Sequence, residues 1–245
     1  MRIKFIACEV MYREACEAMA RSVNRVDMEV LPQGLHTRGK EKMLAELQAA
    51  VERVPAGTYD AIALGFALCG YGLVGLTARD TRVVVPRAHD CMTLFFGSKE
   101  RYKEFFDTHP GCYFKTSGWI ERIGDNTDQG FSEESGLKYN REELIEKYGQ
   151  EDAEYIIEQM TAHKKQYKQF AYIAMGVEPD DRFEKAAREE AAREGLAFER
   201  VEGDMGLIRK LVDGPWAEDE FLVLERGERV VQKWDEGIIG AERAK

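Results

Sequence analysis

Apolar runs alternate with stretches of helical spacing through the first part of the chain. The runs that predict strands are Ile3–Ala7, Asp27–Leu31, Ala61–Leu68 and Arg82–Val85. Between the first three runs, apolar residues recur every three or four positions, which predicts two amphipathic helices. Continuous apolar runs that end at glycine or proline are typical of strands buried on both faces. The alternation of strand and helix therefore predicts a parallel sheet with helical crossovers.

The last third of the chain repeats this order of elements. The predicted strands are Ala171–Met175, Leu196–Val201 and Phe221–Leu224, with helices that begin near Asp181 and Asp204. The polar, glycine-rich stretch Gly124–Gly136 predicts a loop, and two helices follow it. We therefore predict an α/β fold with parallel sheets in two similar Rossmann-like lobes. The predicted domains are residues 1–119, a loop and helical insertion at 120–168, and residues 169–245.

Charge and length exclude some classes of function. The 245 residues carry a formal net charge of −10, and no basic stripe offsets it, so we predict no nucleic-acid partner. The longest apolar run is far too short to cross a membrane, and the first ten residues lack the features of a signal peptide. We therefore expect a cytoplasmic protein, in which the five cysteines stay reduced.

Thiols and an imidazole follow three of the predicted strands. Cys8 ends the first strand, Cys69 ends the third, and His89 and Cys91 follow the fourth. Ligand sites of parallel sheets lie beyond the carboxyl ends of the strands. Zinc prefers thiolate and imidazole ligands, so these four residues predict a zinc site. The alternative is that the cysteines are small buried apolar residues and that His89 makes only local hydrogen bonds.

Other side chains at the same edge predict contacts to a small-molecule substrate. Glu9 and Asp90 are the candidate catalytic carboxylates, and either one could also orient a metal ligand. Arg87 has the planar guanidinium that clamps a carboxylate or a phosphate, with an ion pair to Glu9 or Asp90 as the alternative. The remaining predicted substrate contacts are Gly70, Tyr71, Gly72, Ser98 and Tyr102.

The segment Gly70–Gly75 matches the dinucleotide-binding pattern GxGxxG. The helix that would follow it spans only Leu73 to Ala78, which is short for a dinucleotide crossover. A tight turn that admits a ligand close to the backbone is the interpretation we favour. A nicotinamide-dependent oxidoreductase is the third functional hypothesis for this chain.

Several stretches resemble one prokaryotic family. They are FALCGYG, VPRAHDCMTLFFGSKERY and PGCYFKTSGWIE, with AYIAMG and VEGDMGLIRKLVDGPWAEDEFLVL nearer the C-terminus. The family they resemble is known as domain of unknown function 1638 (DUF1638). The resemblance covers nearly the whole chain and implies a link to corrinoid-dependent methyl transfer, because genes of this family often lie beside corrinoid methyltransferases.

A looser likeness concerns the chemistry. His89-x-Cys91 is similar to the His-x-Cys of zinc methyltransferases that move methyl groups between corrinoids and thiols. Those enzymes place a further cysteine downstream on a barrel fold, whereas Cys8 and Cys69 lie upstream here, so only convergence would explain the likeness. The leading hypothesis is a zinc-dependent protein of one-carbon or corrinoid-linked metabolism, with methyl or alkyl transfer to a thiolate as one reaction and metal-assisted hydrolysis as another. The alternative is a non-catalytic protein that binds a small molecule or a corrinoid, and a corrinoid protein is a candidate partner.

Overall fold

The apolar runs of the first part form neighbouring strands of one sheet in the computed structural model, which describes residues 1–123, 141–161 and 166–244. The strands are β1 (Arg2–Cys8), β2 (Arg25–Leu31), β3 (Ala61–Gly65) and β4 (Val83–Pro86). They are parallel and lie in the order β2-β1-β3-β4. The predicted parallel arrangement of this part of the chain is confirmed.

Helices cover both faces of this first sheet. The α-helices of the described residues are α1 (Tyr12–Arg21), α2 (Lys40–Glu52), α3 (Met92–Phe96), α4 (Lys99–Thr108), α5 (Ser117–Ile123), α6 (Arg141–Tyr148), α7 (Gln150–Thr161), α8 (Arg182–Arg193) and α9 (Gly206–Asp213). Phe5 and Val84 pack in one apolar cluster with residues of α1 and α9, whereas Ile6 and Val83 pack in another with residues of α2. Because successive side chains of a strand point to opposite faces, this two-sided packing requires the continuous apolar runs.

A second parallel sheet contains three strands. They are β5 (Cys112–Lys115), β6 (Gln169–Ala174) and β7 (Ala197–Glu202), in that order. The strand β8 (Phe221–Leu224) instead pairs antiparallel with β4 in the first sheet. The last two strands, β9 (Glu228–Gln232) and β10 (Ile239–Arg243), form an antiparallel hairpin.

Each of the two parallel-stranded sheets takes strands from both predicted lobes. The strand β5 lies within predicted domain 1–119 but belongs to the second sheet, and β8 lies within 169–245 but completes the first. The fold is therefore α/β with parallel sheets, and the two Rossmann-like lobes and their boundaries stay predictions. The predicted loop Gly124–Gly136 lies outside the described residues, while α6 and α7 correspond to the two helices predicted after it.

Segments that follow strands of the two parallel sheets contact each other. Asp204, which follows β7, donates its backbone N–H to the carbonyl of Phe95 in α3, at 2.8 Å. On the other side, Gly118 of α5 lies so close to the segment after β1 that a Cβ built on it would be 1.7 Å from the Val10 carbonyl oxygen. Only glycine fits at that contact. The ends of β1, β3 and β4 are therefore close to the second sheet.

One buried carboxyl group lies at this junction. Glu14, in the first turn of α1, has 0% exposure, and neither of its carboxyl oxygens has a hydrogen-bond partner among the described residues. Burial, together with the charge of Glu178, raises the pKa of Glu14 to about 8. Nearby, the guanidinium of Arg13 donates to both oxygens of Glu121 at 2.9 and 2.8 Å, which joins α1 to α5.

A buried ion pair lies inside the second sheet layer. The ammonium of Lys115, at the end of β5, is 2.6 Å from a carboxyl oxygen of Glu190 in α8. Both side chains are nearly excluded from solvent. Burial lowers the pKa of Lys115, whereas the charge of Glu190 and its hydrogen bond oppose that change.

Candidate functional site

Three thiols follow the ends of three neighbouring strands. Cys8 is the last residue of β1, and Cys91 immediately precedes α3. The chain beyond β3 stays beside the chain beyond β4, because the N–H groups of Leu68 and Cys69 donate to the carbonyls of Ala88 and His89, at 3.0 and 2.9 Å. This pairing brings Cys69 beside the segment that carries His89 and Cys91.

The turn that carries Cys69 has an unusual backbone. Cys69, Gly70 and Tyr71 have φ angles of 43°, 65° and 72°. Positive φ is uncommon for residues other than glycine, and two of these three residues have a Cβ. Gly72 packs directly on α2, where a Cβ would lie 2.3 Å from the Sδ of Met43. Unfavourable backbone conformations of this kind cluster at functional sites.

Burial is the main influence on the protonation of the three thiols. Burial raises the pKa of Cys8 to about 11 and that of Cys69 to about 12, and it raises the pKa of Cys91 well above its usual range. The charge of Cys8 adds to the rise at Cys69, and those of Cys69 and Cys8 add to the rise at Cys91. Burial therefore keeps these three thiols protonated at neutral pH, and their sharing of one metal ion stays a prediction.

These side chains do not form a ready coordination shell. Within the part of the chain that the structure describes, no group of three or more His, Cys, Asp or Glu side chains is placed to hold a metal ion. His89 is exposed and lies at the wall of a cavity. The thiols suit zinc by their chemistry but not by their present positions, so the zinc site of Cys8, Cys69, His89 and Cys91 stays a prediction.

Asp90 is held firmly beside the thiols. Its carboxylate accepts a hydrogen bond from the hydroxyl of Tyr102 at 2.9 Å and another from the backbone N–H of Met92 at 3.0 Å. Burial raises the pKa of Asp90, although these two hydrogen bonds oppose the rise. The pKa of Tyr102 is raised by burial and by the charge of Asp90. This pair fixes the start of α3 against α4.

A cavity of about 670 Å³ opens next to Asp90. Its walls come from the segment after β4, from α3 and α4, and from the loop between β9 and β10. The lining residues are His89, Asp90, Thr93, Lys99, Glu100, Tyr102, Lys103, Phe106, Glu236 and Ile238. A volume of this size matches sites for small organic ligands.

A family model described as "Protein of unknown function (DUF1638)" matches residues 30–212. The chain belongs to the DUF1638 family. The matched residues include Cys69, His89, Cys91 and Lys99, whereas Cys8 and the strands from β8 onward lie outside the match. Neither the curated proteins nor the solved structures include a significant match to the chain. No helix among the residues described here is long and apolar enough to span a membrane.

The other predicted site residues of the DUF1638 protein are spread along the same edge. A carboxylate oxygen of Glu9 accepts the backbone N–H of Gln33 at 2.7 Å, which links the chain after β1 to the chain after β2. The hydroxyl of Ser98 accepts the N–H of Arg101 and caps α4. Tyr71 is exposed at the turn after β3. Their predicted catalytic or substrate contacts stay predictions.

Arg87 binds backbone carbonyls of the C-terminal segment. Its Nε donates to the carbonyl of Glu218 at 2.7 Å, and its Nη1 donates to the carbonyls of Gly237 and Ile239, the former at 2.8 Å. Glu9 and Asp90, the ion-pair partners that the alternative interpretation suggests, are not among these contacts. The guanidinium thus connects the end of β4 to the β9–β10 hairpin, which favours a structural role over a substrate clamp.

We expect Arg87→Lys to lower the free energy of unfolding by about 1–3 kcal/mol, because one ammonium cannot reach all three carbonyls and leaves polar groups unpaired. Urea unfolding of both proteins measures this loss. The matched control is Arg79→Lys. Arg79 pairs with Glu52 on the surface, and such a pair contributes only about 0–1 kcal/mol to the free energy of unfolding. Equal stability losses in the two variants would contradict the structural role.

The glycine pattern at 70–75 lacks the helix that a dinucleotide site needs. Residues 66–82 form turns and extended segments, and the N–H of Gly75 donates to the carbonyl of Val230 in β9. A pyrophosphate binds such a motif at the N-terminus of a helix, and none follows here. The nicotinamide hypothesis therefore has no structural support in this segment.

Two important cavity residues are absent from the sequence-based prediction. Lys99 lies at the first position of α4, and Glu236 comes from the loop of the β9–β10 hairpin. The ammonium of Lys99 donates to the carbonyl of Glu236 at 3.4 Å. No local pattern in the sequence could place these residues together, because they are far apart in the chain and the hairpin itself was not predicted.

Proposed function

We propose that this DUF1638 protein binds a thiophilic metal ion, zinc in the first place, through Cys8, Cys69 and Cys91. The observation that carries the proposal is that three adjacent parallel strands each lead to a thiol at the same edge of the sheet, where the backbone N–H of Cys69 donates to the carbonyl of His89 at 2.9 Å. His89, on the adjoining cavity wall, is the candidate for a fourth ligand. Binding requires the thiol side chains to move together, while the strands that carry them stay in place.

The chemistry of the site follows from its donors. A bound zinc ion lowers the pKa of a thiol or a water molecule and so supplies a nucleophile at neutral pH. Asp90 and Tyr102 join the metal site to the cavity, where a small substrate would lie. Methyl or alkyl transfer to a thiolate, in one-carbon or corrinoid-linked metabolism, is the reaction we propose, and it rests on the sequence resemblance. The free thiols suit a reducing compartment such as the cytoplasm.

Elemental analysis of anaerobically purified protein tests the metal site. We expect about one zinc per chain in the wild type and little in Cys69→Ser, because a hydroxyl replaces one of the thiolates that zinc prefers. Cys16→Ser is the matched control, since Cys16 lies on α1 away from the strand ends, and it should keep the metal. His89→Ala, at an exposed position, should lose part of the metal and keep its fold. A wild type that stays metal-free after addition of zinc would overturn the proposal.

A second function is favoured by the lack of a formed coordination shell in the described residues. In this alternative the protein binds a small molecule or a corrinoid without catalysis, and the cysteines only line the edge of the sheet. It predicts a metal-free protein whose melting temperature rises when the ligand is added. Metal content and melting temperature, measured on the same sample, separate the two functions.

A further inference from the structure

Among the described residues that line the 670 Å³ cavity beside Asp90, Lys99 is a cation without an acidic partner. The ammonium of Lys99 donates to the backbone carbonyls of Asp219 at 2.9 Å and Glu236 at 3.4 Å. No carboxylate of the described residues lies within ion-pair distance of it. An ammonium has three donors, so one remains for a ligand. These two carbonyls hold the charge at the cavity wall.

The acidic residues that line the same cavity are less able to oppose an anion. Asp90 already accepts hydrogen bonds from Tyr102 and Met92. Glu100 and Glu236 are exposed, so water and salt screen their charges, whereas Lys99 is half-buried. The other lysine of the wall, Lys103, is neutralised by Asp107 one turn away on α4.

The rest of the cavity offers an apolar surface. Phe106 lines it with 55% of its surface exposed, although phenylalanine is usually buried. Ile238 lies on the opposite segment with a φ of 62°, a conformation that is a genuine outlier for a β-branched residue. The cavity therefore combines a fixed positive charge with apolar walls.

We infer that the cavity binds a small organic anion that also has an apolar part, with Lys99 contacting the anionic group and Phe106 the apolar one. The inference rests on the proposed function for the role of the neighbouring thiols and names the class of substrate that the site would accept. A carboxylate and a phosphate share this chemistry, and both would pair with the ammonium.

The test uses 1-anilinonaphthalene-8-sulfonate, a fluorescent organic anion with apolar rings, titrated into the 245-residue protein as purified. We expect saturable binding to the wild type that is about tenfold weaker in Lys99→Met, equivalent to about 1.4 kcal/mol. Lys99→Arg keeps the charge and should bind nearly as well as the wild type. Lys103→Met is the matched control, because its ammonium is already paired, and it should change binding little. Phe106→Ala should also weaken binding, whereas Tyr155→Ala, an exposed aromatic on α7, should not.

Three results would overturn the inference. They are no saturable binding to the wild type, unchanged binding in Lys99→Met, or equal weakening in Lys99→Met and Lys103→Met. Melting curves check that each variant is folded, and Lys99→Gln, which keeps a donor for the carbonyls, replaces Lys99→Met if that variant does not fold. Zinc content is measured on the same samples. Zinc bound by a protein that does not bind the probe would contradict only this inference, and probe binding without zinc would contradict only the metal site.

Discussion

Replacing Glu14 with glutamine should stabilise the protein at pH 8 by several kcal/mol. The wild-type carboxyl group is completely buried, and its pKa is raised to about 8, well above the ordinary value of 4.5. The folded state therefore holds a proton that the unfolded state releases from about pH 4.5 upward. Stability falls as the pH rises from 4.5 to 8, and the total loss is on the order of 3–5 kcal/mol. Glutamine has no proton to lose and avoids this loss.

Urea unfolding at several pH values between 5 and 9 measures the effect. The difference between Glu14→Gln and the wild type should be small near pH 5, should grow with pH, and should level off above pH 8. Glu46→Gln, on the exposed side of α2, is the matched control and should follow the wild type at every pH. Parallel stability curves for Glu14→Gln and the wild type would show that Glu14 has an ordinary pKa in the folded protein.

Lys115→Met should destabilise the protein by about 3–5 kcal/mol, because it leaves the buried carboxylate of Glu190 without its partner. The double variant Lys115→Met/Glu190→Leu should recover much of this loss, since an apolar pair of similar volume avoids the cost of burying charge. Denaturant unfolding of the single and double variants at pH 7 measures both the loss of stability and its recovery.

The control for this pair is a surface pair on the same helix. Lys185 lies 2.9 Å from Asp181 at the exposed start of α8, and both side chains are largely in solvent. Lys185→Met should change the free energy of unfolding by less than about 1 kcal/mol. If the double variant at Lys115 and Glu190 were less stable than Lys115→Met, the two charges would not be acting as a pair.

The first sheet could be predicted because the sequence of each of its parallel strands is itself a signal for a buried strand. Buried runs such as Ala61–Gly65 in β3 are apolar throughout, and helical spacing between them implies parallel crossovers. The assignment of β5 and β8 to sheets could not be predicted in this way. The apolar run Phe221–Leu224 suits either sheet, and only the free edge of β4 decides where it pairs.

In the candidate site, too, some features follow from the local sequence and others depend on long-range packing. The position of Cys8, Cys69 and Cys91 at one edge of the sheet follows from strand order, which the sequence pattern predicts. The positive φ of Tyr71 and the carbonyl contacts of Lys99 depend on how distant segments pack, and no local signal reports that packing. Arg87 is the clearest example, because a guanidinium at a strand end can bind either a ligand or backbone carbonyls, and the sequence alone does not distinguish the two.

The pairing of β8 with β4 has a consequence for how the protein is made. On the ribosome, β4 emerges long before Phe221–Leu224 is synthesised, and its apolar edge has no partner in that interval. At ordinary rates of translation the wait is on the order of ten seconds. An uncovered apolar edge is a template for pairing with another nascent chain. Residues 1–119 expressed alone keep this edge open permanently, so we expect such a fragment to aggregate where the complete chain folds.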